Sequence, residues 1–333
     1  MINRYIMVTA IAFTFASCSK EIEVKSLNFD VTVSKTNGAV SNTYTTSDSL
    51  NFAFKGNPDV ITFYSGEINR QYINKDRTVA DGTPILQFTS LRATGTQANS
   101  LALMVSSDFK GIALKPGSTI RDTVTTNANI ATAQWSDITS QAALSTGAAT
   151  PSGEINLSSF ANLGKPVYIA FKYVAAAGSV QNKWTITLLT LTNKLADESI
   201  YTIGNLGAPN TEIKNYGVIT YSPGWWVSYD EVKNANKYPW VFTAGTSLVI
   251  TGAATVGAAT APAEAWAIMG PINLKKVSPD VGVGLKSISA KFENYPYKYS
   301  SVTLSEPTFV ASNNVVNSSA TVVKPLSIKV TKP

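Results

Sequence analysis

The side chains that could do chemistry in this chain are few, and their scarcity decides much. Histidine is absent from the 333 residues, and cysteine occurs once, at Cys18. Without histidine there is no Ser-His-Asp or Cys-His nucleophile system and no imidazole base. Zinc held by cysteine and histidine is excluded for the same reason. Carboxylates remain. A glycosidase would need two of them about 5–9.5 Å apart in a cleft, and no pair in the sequence nominates itself. Calcium takes six to eight oxygen ligands. Asp59 and Glu67 flank one apolar run, but no spaced acidic series surrounds them, so they read as turn caps. We expect no catalytic residue, no metal site, no cofactor and no enzymatic activity.

Aromatic rings offer the second chemistry. Tyr221-Ser222-Pro223-Gly224-Trp225-Trp226-Val227-Ser228-Tyr229 pairs two tryptophans beside turn residues, and Tyr238-Pro239-Trp240 follows. Exposed rings present large, flat apolar faces, on which the apolar faces of sugar rings can stack. Trp225, Trp226, Tyr229, Tyr238 and Trp240 are therefore the candidate glycan-binding residues. The competing reading is that all five pack in a core or between domains. Neighbours in a strand point to opposite faces, so Trp225 and Trp226 cannot share one platform if the segment is extended. Trp135, Trp184 and Trp266 sit in apolar runs and read as core.

Cys18 carries the third chemistry. Arg4 precedes an apolar run over residues 6–15, and Ala16 and Ser17 lead into the cysteine. A positive start, a short apolar segment and a small-residue exit form the pattern of a secretory signal. The run is too short to span a bilayer, which takes roughly 20 apolar residues. Phe15-Ala16-Ser17-Cys18 looks like a bacterial lipobox, with phenylalanine where leucine is usual. Cleavage before Cys18 would leave 316 residues attached to a membrane through lipid on the thiol. Ser19-Lys20-Glu21-Ile22-Glu23 resembles the short charged tag that sends lipoproteins of Bacteroidota to the cell exterior. The expected location is the outer membrane, lipid-anchored and facing outward.

The rest of the chain must position these residues without a disulfide, since one cysteine allows none. It carries Lys+Arg 27 against Asp+Glu 21 with no basic cluster, which argues against a nucleic-acid partner. Leu27 to Val33 alternates apolar and polar, as do Leu50, Phe52 and Phe54, the mark of half-buried strands. Further strands are expected at 60–64, 85–91, 101–105 and 119–124. Val167, Ile169, Phe171 and Tyr173 share one face, and Trp184, Ile186 and Leu188 another. Leu248-Val249-Ile250 is a strand-like core within the Ala/Thr/Gly-rich stretch 243–263. Tyr295, Tyr297 and Tyr299 fall on one side at period two and read as a solvated sheet face. Short strands between turn residues argue for β-sandwiches.

Residues 54–67, Phe54-Lys55-Gly56-Asn57-Pro58-Asp59-Val60-Ile61-Thr62-Phe63-Tyr64-Ser65-Gly66-Glu67, resemble the opening domain of a Bacteroidota outer-membrane lipoprotein family whose domain has no assigned function. The resemblance implies association with glycan-uptake loci of the starch-utilisation type, with polysaccharide and outer-membrane uptake proteins as partners. The run Lys165 to Tyr173 before a tryptophan strand resembles jelly-roll segments of bacterial surface proteins. The expected fold is all-β. A signal peptide (1–17) and tether (18–26) lead into an immunoglobulin-like sandwich (27–130). A jelly-roll-like sandwich (131–275) follows, then C-terminal strands (276–333) that could complete an earlier domain. The expected role is a non-catalytic surface glycan binder, with a structural or adhesive module for a protein partner as the alternative.

Lipidation at Cys18 gives a direct expectation. Expressed in a bacterium with a lipoprotein pathway, the wild-type chain should enter the detergent phase on Triton X-114 partition, and Cys18→Ser should move it to the aqueous phase. Equal partition of the two chains would remove the lipid anchor.

Overall fold

The computed structural model describes residues 26–118, 120–206, 224–288 and 291–333. Cys18, the signal segment and tether residues 18–25 lie outside the described residues, as do Tyr221 to Pro223. What is described is all-β: 21 strands in five sheets, against two short α-helices. No described helix is long and apolar enough to cross a membrane.

The chain folds as two units, one formed by residues up to Lys75 together with Val281–Pro333, the other by Asp76–Asp280. The second is therefore an insertion in the first. This replaces the expected boundary near residue 130, because strands Thr83–Thr94 and Leu101–Ser106 pair with Lys183–Lys194 and Val167–Ala175. Sequential spacing groups them with the N-terminal strands, but long-range pairing places them in the insertion.

The split unit is a two-sheet sandwich. One sheet orders Asp30–Lys35, Leu50–Lys55 and Asn294–Tyr297. The other orders Val283–Ser287, Val60–Tyr64, Thr308–Val315 and Ser318–Pro325. A short parallel pair joins Thr43–Thr45 to Lys329–Thr331. Period-two alternation sends Phe52 and Phe54 from the first sheet against Phe63 and Phe309 from the second. The Phe52–Phe309 and Phe54–Phe309 centroids lie 5.1 and 5.3 Å apart. Tyr295, Tyr297 and Tyr299 do share a face, but it is the core face: Tyr297 meets Phe63 edge-on at 5.2 Å and Tyr299 is buried. The first sheet packs one side on the second, so its tyrosine stripe is covered rather than solvated.

Glu67 ties the two halves of this unit together. It is 6% exposed. Its Oε2 accepts from Ser65 Oγ at 2.9 Å and Tyr297 OH at 2.8 Å. Its Oε1 accepts from the backbone N–H groups of Ser300 and Ser301 at 3.0 and 2.8 Å, and from both their hydroxyls. Burial alone would push the carboxyl up, but the bonds from Tyr297, Ser301, Ser65 and Ser300 outweigh it and hold Glu67 below its ordinary value. Desolvation and the same bond push the Tyr297 phenol up to about 12. Gly66 precedes at φ +81°, where a Cβ would stand 2.2 Å from Ser305 O, so only glycine fits this close passage. Asp59 does not cap its own turn: its Oδ2 accepts from Asn314 N, on the paired strand Thr308–Val315, at 3.1 Å.

The inserted unit is a second sandwich. A five-stranded sheet runs Gly224–Ser228, Ala263–Ile272, Val167–Ala175, Leu101–Ser106, Ser136–Asp137. It faces a sheet built on Trp240–Thr243, Ser247–Thr251, Lys183–Lys194 and Thr83–Thr94. Phe88, Phe171, Trp184, Trp225, Trp240, Leu248 and Met269 fill the space between them. Phe88 and Phe171 meet edge-to-face at 5.0 Å. Leu188 departs from its expected face and is 76% exposed. A bulge between Thr187 and Thr190, with Leu188 at φ +51°, shifts the phase so that Leu189 and Leu191 turn inward instead. The segment expected as a strand at 119–124 instead leads into a helix, Thr123–Thr132. Asp122 caps it, accepting from Thr125 N at 3.0 Å, and Thr126 and Ile130 form its buried stripe. Strand-like Thr, Val and Ile composition yields here to a cap and a buried i,i+4 pair, in which the Thr126 hydroxyl accepts from Ala113 N at 3.0 Å.

Glu67→Gln keeps the shape but places an amide donor among donors. Urea unfolding at pH 7 should show a loss of about 2–4 kcal/mol, as one or more buried donors lose their acceptor. Wild-type stability from this group is complete above the ordinary carboxyl value of 4.5 and is lost as pH falls through the lower folded value. The acid limb of the stability curve should flatten in the variant. An unchanged midpoint and an unchanged acid limb would show that Glu67 holds nothing.

Candidate functional site

Strand alternation in the inserted unit makes two different surfaces. Along Ala263–Ile272, Ala263, Ala265, Ala267 and Met269 face the sandwich core, while Glu264, Trp266 and Ile268 face outward. Along Val167–Ala175, Phe171 and Tyr173 face in, and Ala170 and Lys172 face out. The register sets Lys172 directly opposite Trp266. That pairing places the lysine ammonium 5.1 Å from the indole centroid, a cation–π contact. The neighbouring Trp135 ring lies 5.0 Å from that of Trp266, and its Nε1 donates to Ile130 O at 3.0 Å.

Glu264 organises the polar side of this surface. Its Oε1 accepts from Trp266 Nε1 at 3.1 Å. Lys172 and Lys233 approach its carboxylate at 3.3 and 3.5 Å. Burial pushes its carboxyl up, but the indole bond and the two ammonium groups more than reverse that, so Glu264 stays ionised below its ordinary value.

The helix Thr123–Thr132 walls the surface on one side. Asn127 fixes it, donating to Tyr229 O at 3.0 Å and accepting from Ser228 Oγ at 2.8 Å. Asn129 adds a bond to Gly111 O at 3.0 Å. The segment 227–233 forms the opposite wall. Between them lies a groove of about 1080 Å³, lined by Trp135, Trp266, Lys172, Glu264, Tyr229 and the exposed Val124, among others. That volume is at the upper end for small-molecule pockets. Among the described residues no group of three acidic, histidine or cysteine side chains could hold a metal ion.

The candidates taken from the sequence divide sharply. Trp225, Trp226 and Trp240 are 0, 2 and 2% exposed, which overturns their reading as exposed stacking rings. Trp225 lies in the core between the sheets, stacked on Phe242 at 6.0 Å. Trp240 lies there too and donates from Nε1 to Ala265 O at 3.2 Å. Trp226 points the other way, as adjacent strand residues must, but the Arg121 guanidinium covers its ring at 4.3 Å. Both faces of the sheet are covered at Gly224–Ser228, so neither tryptophan reaches solvent. Tyr229 and Tyr238 are half-buried, and Tyr229 alone of the five lines the groove with an aromatic side chain.

Trp184 and Trp266 are core as expected, Trp266 at 6% exposure in a second buried cluster with Phe109, Ile130, Ala170 and Ile268, while Trp135, read from the sequence as core, is half-buried and lines the groove. A local signal for the groove face existed. Ala265 and Ala267 bracket Trp266, so the small residues own one face and the tryptophan stands on the other with Glu264. Deciding which face was open needed the helix Thr123–Thr132, which covers only part of it.

The fold and the groove define a two-unit β-sandwich protein with an aromatic-floored surface cleft. Residues 17–209 match the family described as a domain of unknown function, DUF5017, and the chain belongs to that family. The match takes in Trp135 and Lys172 and ends before Glu264 and Trp266. No curated protein and no solved structure matches the chain.

The buried tryptophans supply a test that separates packing from binding. Trp225→Ala should lower the unfolding free energy by about 3–5 kcal/mol, the cost of truncating a fully buried indole. A Trp225→Ala chain that unfolds within about 0.5 kcal/mol of wild type would contradict its place in the core.

Proposed function

We propose that this protein is a non-catalytic surface lipoprotein whose inserted unit binds a polysaccharide in the groove lined by Trp135, Lys172 and Tyr229. The observation that carries the reading is the half-buried Trp135 ring in the groove, braced from behind by the buried Trp266 at 5.0 Å and bordered by Lys172 and Glu264 in one hydrogen-bonded set. Flat apolar faces beside fixed polar groups suit a sugar, which presents an apolar ring face and a rim of hydroxyls.

The lipobox-like Phe15-Ala16-Ser17-Cys18 and the charged stretch after it support an outer-membrane anchor facing the cell exterior. The resemblance to Bacteroidota lipoproteins of glycan-uptake loci supports a role beside an uptake system, with its membrane proteins as partners. A protein ligand is the second reading. Val124 and Val232, 79 and 90% exposed beside the groove, favour it.

Binding is tested with the Cys18→Ser chain against plant, host and microbial polysaccharides, by affinity electrophoresis and calorimetry. Wild-type binding to one glycan class should fall at least about tenfold in Trp135→Ala, a loss of roughly 1.4 kcal/mol, with the circular dichroism spectrum unchanged. Absence of binding across the panel would favour the protein ligand. Binding that survives Trp135→Ala would move the site elsewhere.

A further inference from the structure

The charges in the groove say more than its rings do. Three cations line it, Arg121, Lys172 and Lys233, and three anions, Asp230, Glu231 and Glu264. Each has a partner. Lys172 and Lys233 share Glu264 at 3.3 and 3.5 Å. The Arg121 guanidinium sits 4.3 Å from the Trp226 ring centroid. Glu231 meets Lys237 at 3.1 Å, and Asp230 Oδ1 accepts from Val232 N at 2.8 Å. A sulfate or uronate entering the groove would have to draw a lysine from Glu264, leaving a partly buried carboxylate without its counter-ions. A hydroxyl faces no such cost. Each ammonium has three donors and spends them singly on Glu264, so the remaining donors can meet neutral oxygens while the ion pairs stay closed.

We propose that the groove selects an uncharged polysaccharide: its paired charges hydrogen-bond to sugar hydroxyls while Trp135 carries the ring face. This inference rests on the glycan reading of the groove and narrows it to a ligand class. The protein as a whole has formal net charge +6, so simple attraction would favour acidic polymers. The local balance in the groove opposes that trend.

The experiment compares soluble starch, β-glucan and galactomannan with polygalacturonate and dextran sulfate, using the Cys18→Ser chain and its Trp135→Ala derivative. Each is run at about 0.01 M and about 1 M sodium chloride, between which the Debye length falls from about 30 Å to about 3 Å. A neutral polymer should bind with less than about twofold change between the two salts, and Trp135→Ala should abolish that binding. Preference for an acidic polymer, weakened tenfold or more by salt and still lost in Trp135→Ala, would overturn the uncharged class while leaving the groove a glycan site. No Trp135-dependent binding to any polymer would overturn both. Glu264→Gln provides the converse arm, since it releases Lys172 and Lys233. It should gain at least about tenfold in low-salt affinity for polygalacturonate, and a failure to gain would show that ion pairing is not what excludes acidic chains.

Discussion

The pairing of strand Ala263–Ile272 with Val167–Ala175 and Gly224–Ser228 governs both what holds the inserted unit together and what it presents. On the inner face its alanines at 263, 265 and 267 leave room for bulky neighbours. Phe171, Trp225 and Trp240 take that space, and Trp240 bonds the carbonyl of Ala265. On the outer face the same strand offers Glu264 and Trp266. The register delivers Lys172 to the tryptophan and thereby to the carboxylate. A slip of one residue would exchange the two faces and lose core and groove together. Structure and candidate function thus depend on one set of backbone hydrogen bonds.

The split unit meets a different demand. Its N-terminal strands and its C-terminal strands are separated in sequence by the whole insertion, so closing it carries a loop-entropy cost that grows with loop length. No disulfide offsets that cost. A buried hydrophobic centre of Phe52, Phe54, Phe63 and Phe309 supplies the bulk of the cohesion, and Glu67 supplies direction. Six donors converge on one carboxylate, four of them from Ser300 and Ser301. A buried charge left with fewer partners would destabilise the fold. Its full set of bonds therefore makes one arrangement of the C-terminal segment far better than its neighbours.

Period-two patterns made much of this legible. The strands around Leu50–Lys55, Val60–Tyr64 and Val167–Ala175 follow directly from alternation, and the all-β class follows from them. Three things escaped for physical reasons. The insertion was hidden because strand pairing between distant segments leaves no local mark. The helix Thr123–Thr132 was hidden because its β-branched residues favour strands until Asp122 and the Thr126–Ile130 stripe are weighed. The exposure of each tryptophan was hidden because alternation says which residues share a face and not what covers that face. Trp225 and Trp226 were correctly placed on opposite faces, yet the second sheet covers one and Arg121 covers the other. Trp266 is core as its neighbours are, and the half-exposure of Trp135 beside the helix Thr123–Thr132 leaves no mark in alternation.

The central claim is that Trp135, braced by Trp266, binds sugar while the other five of the six tryptophans build the fold. Fluorine NMR of the chain labelled with 5-fluorotryptophan tests it most directly, with resonances assigned by single substitutions. Titration with neutral oligosaccharides should shift the Trp135 and Trp266 resonances and leave those of Trp184, Trp225 and Trp240 in place. A spectrum in which no resonance moves with any oligosaccharide, or in which only the core tryptophans respond, would contradict the account.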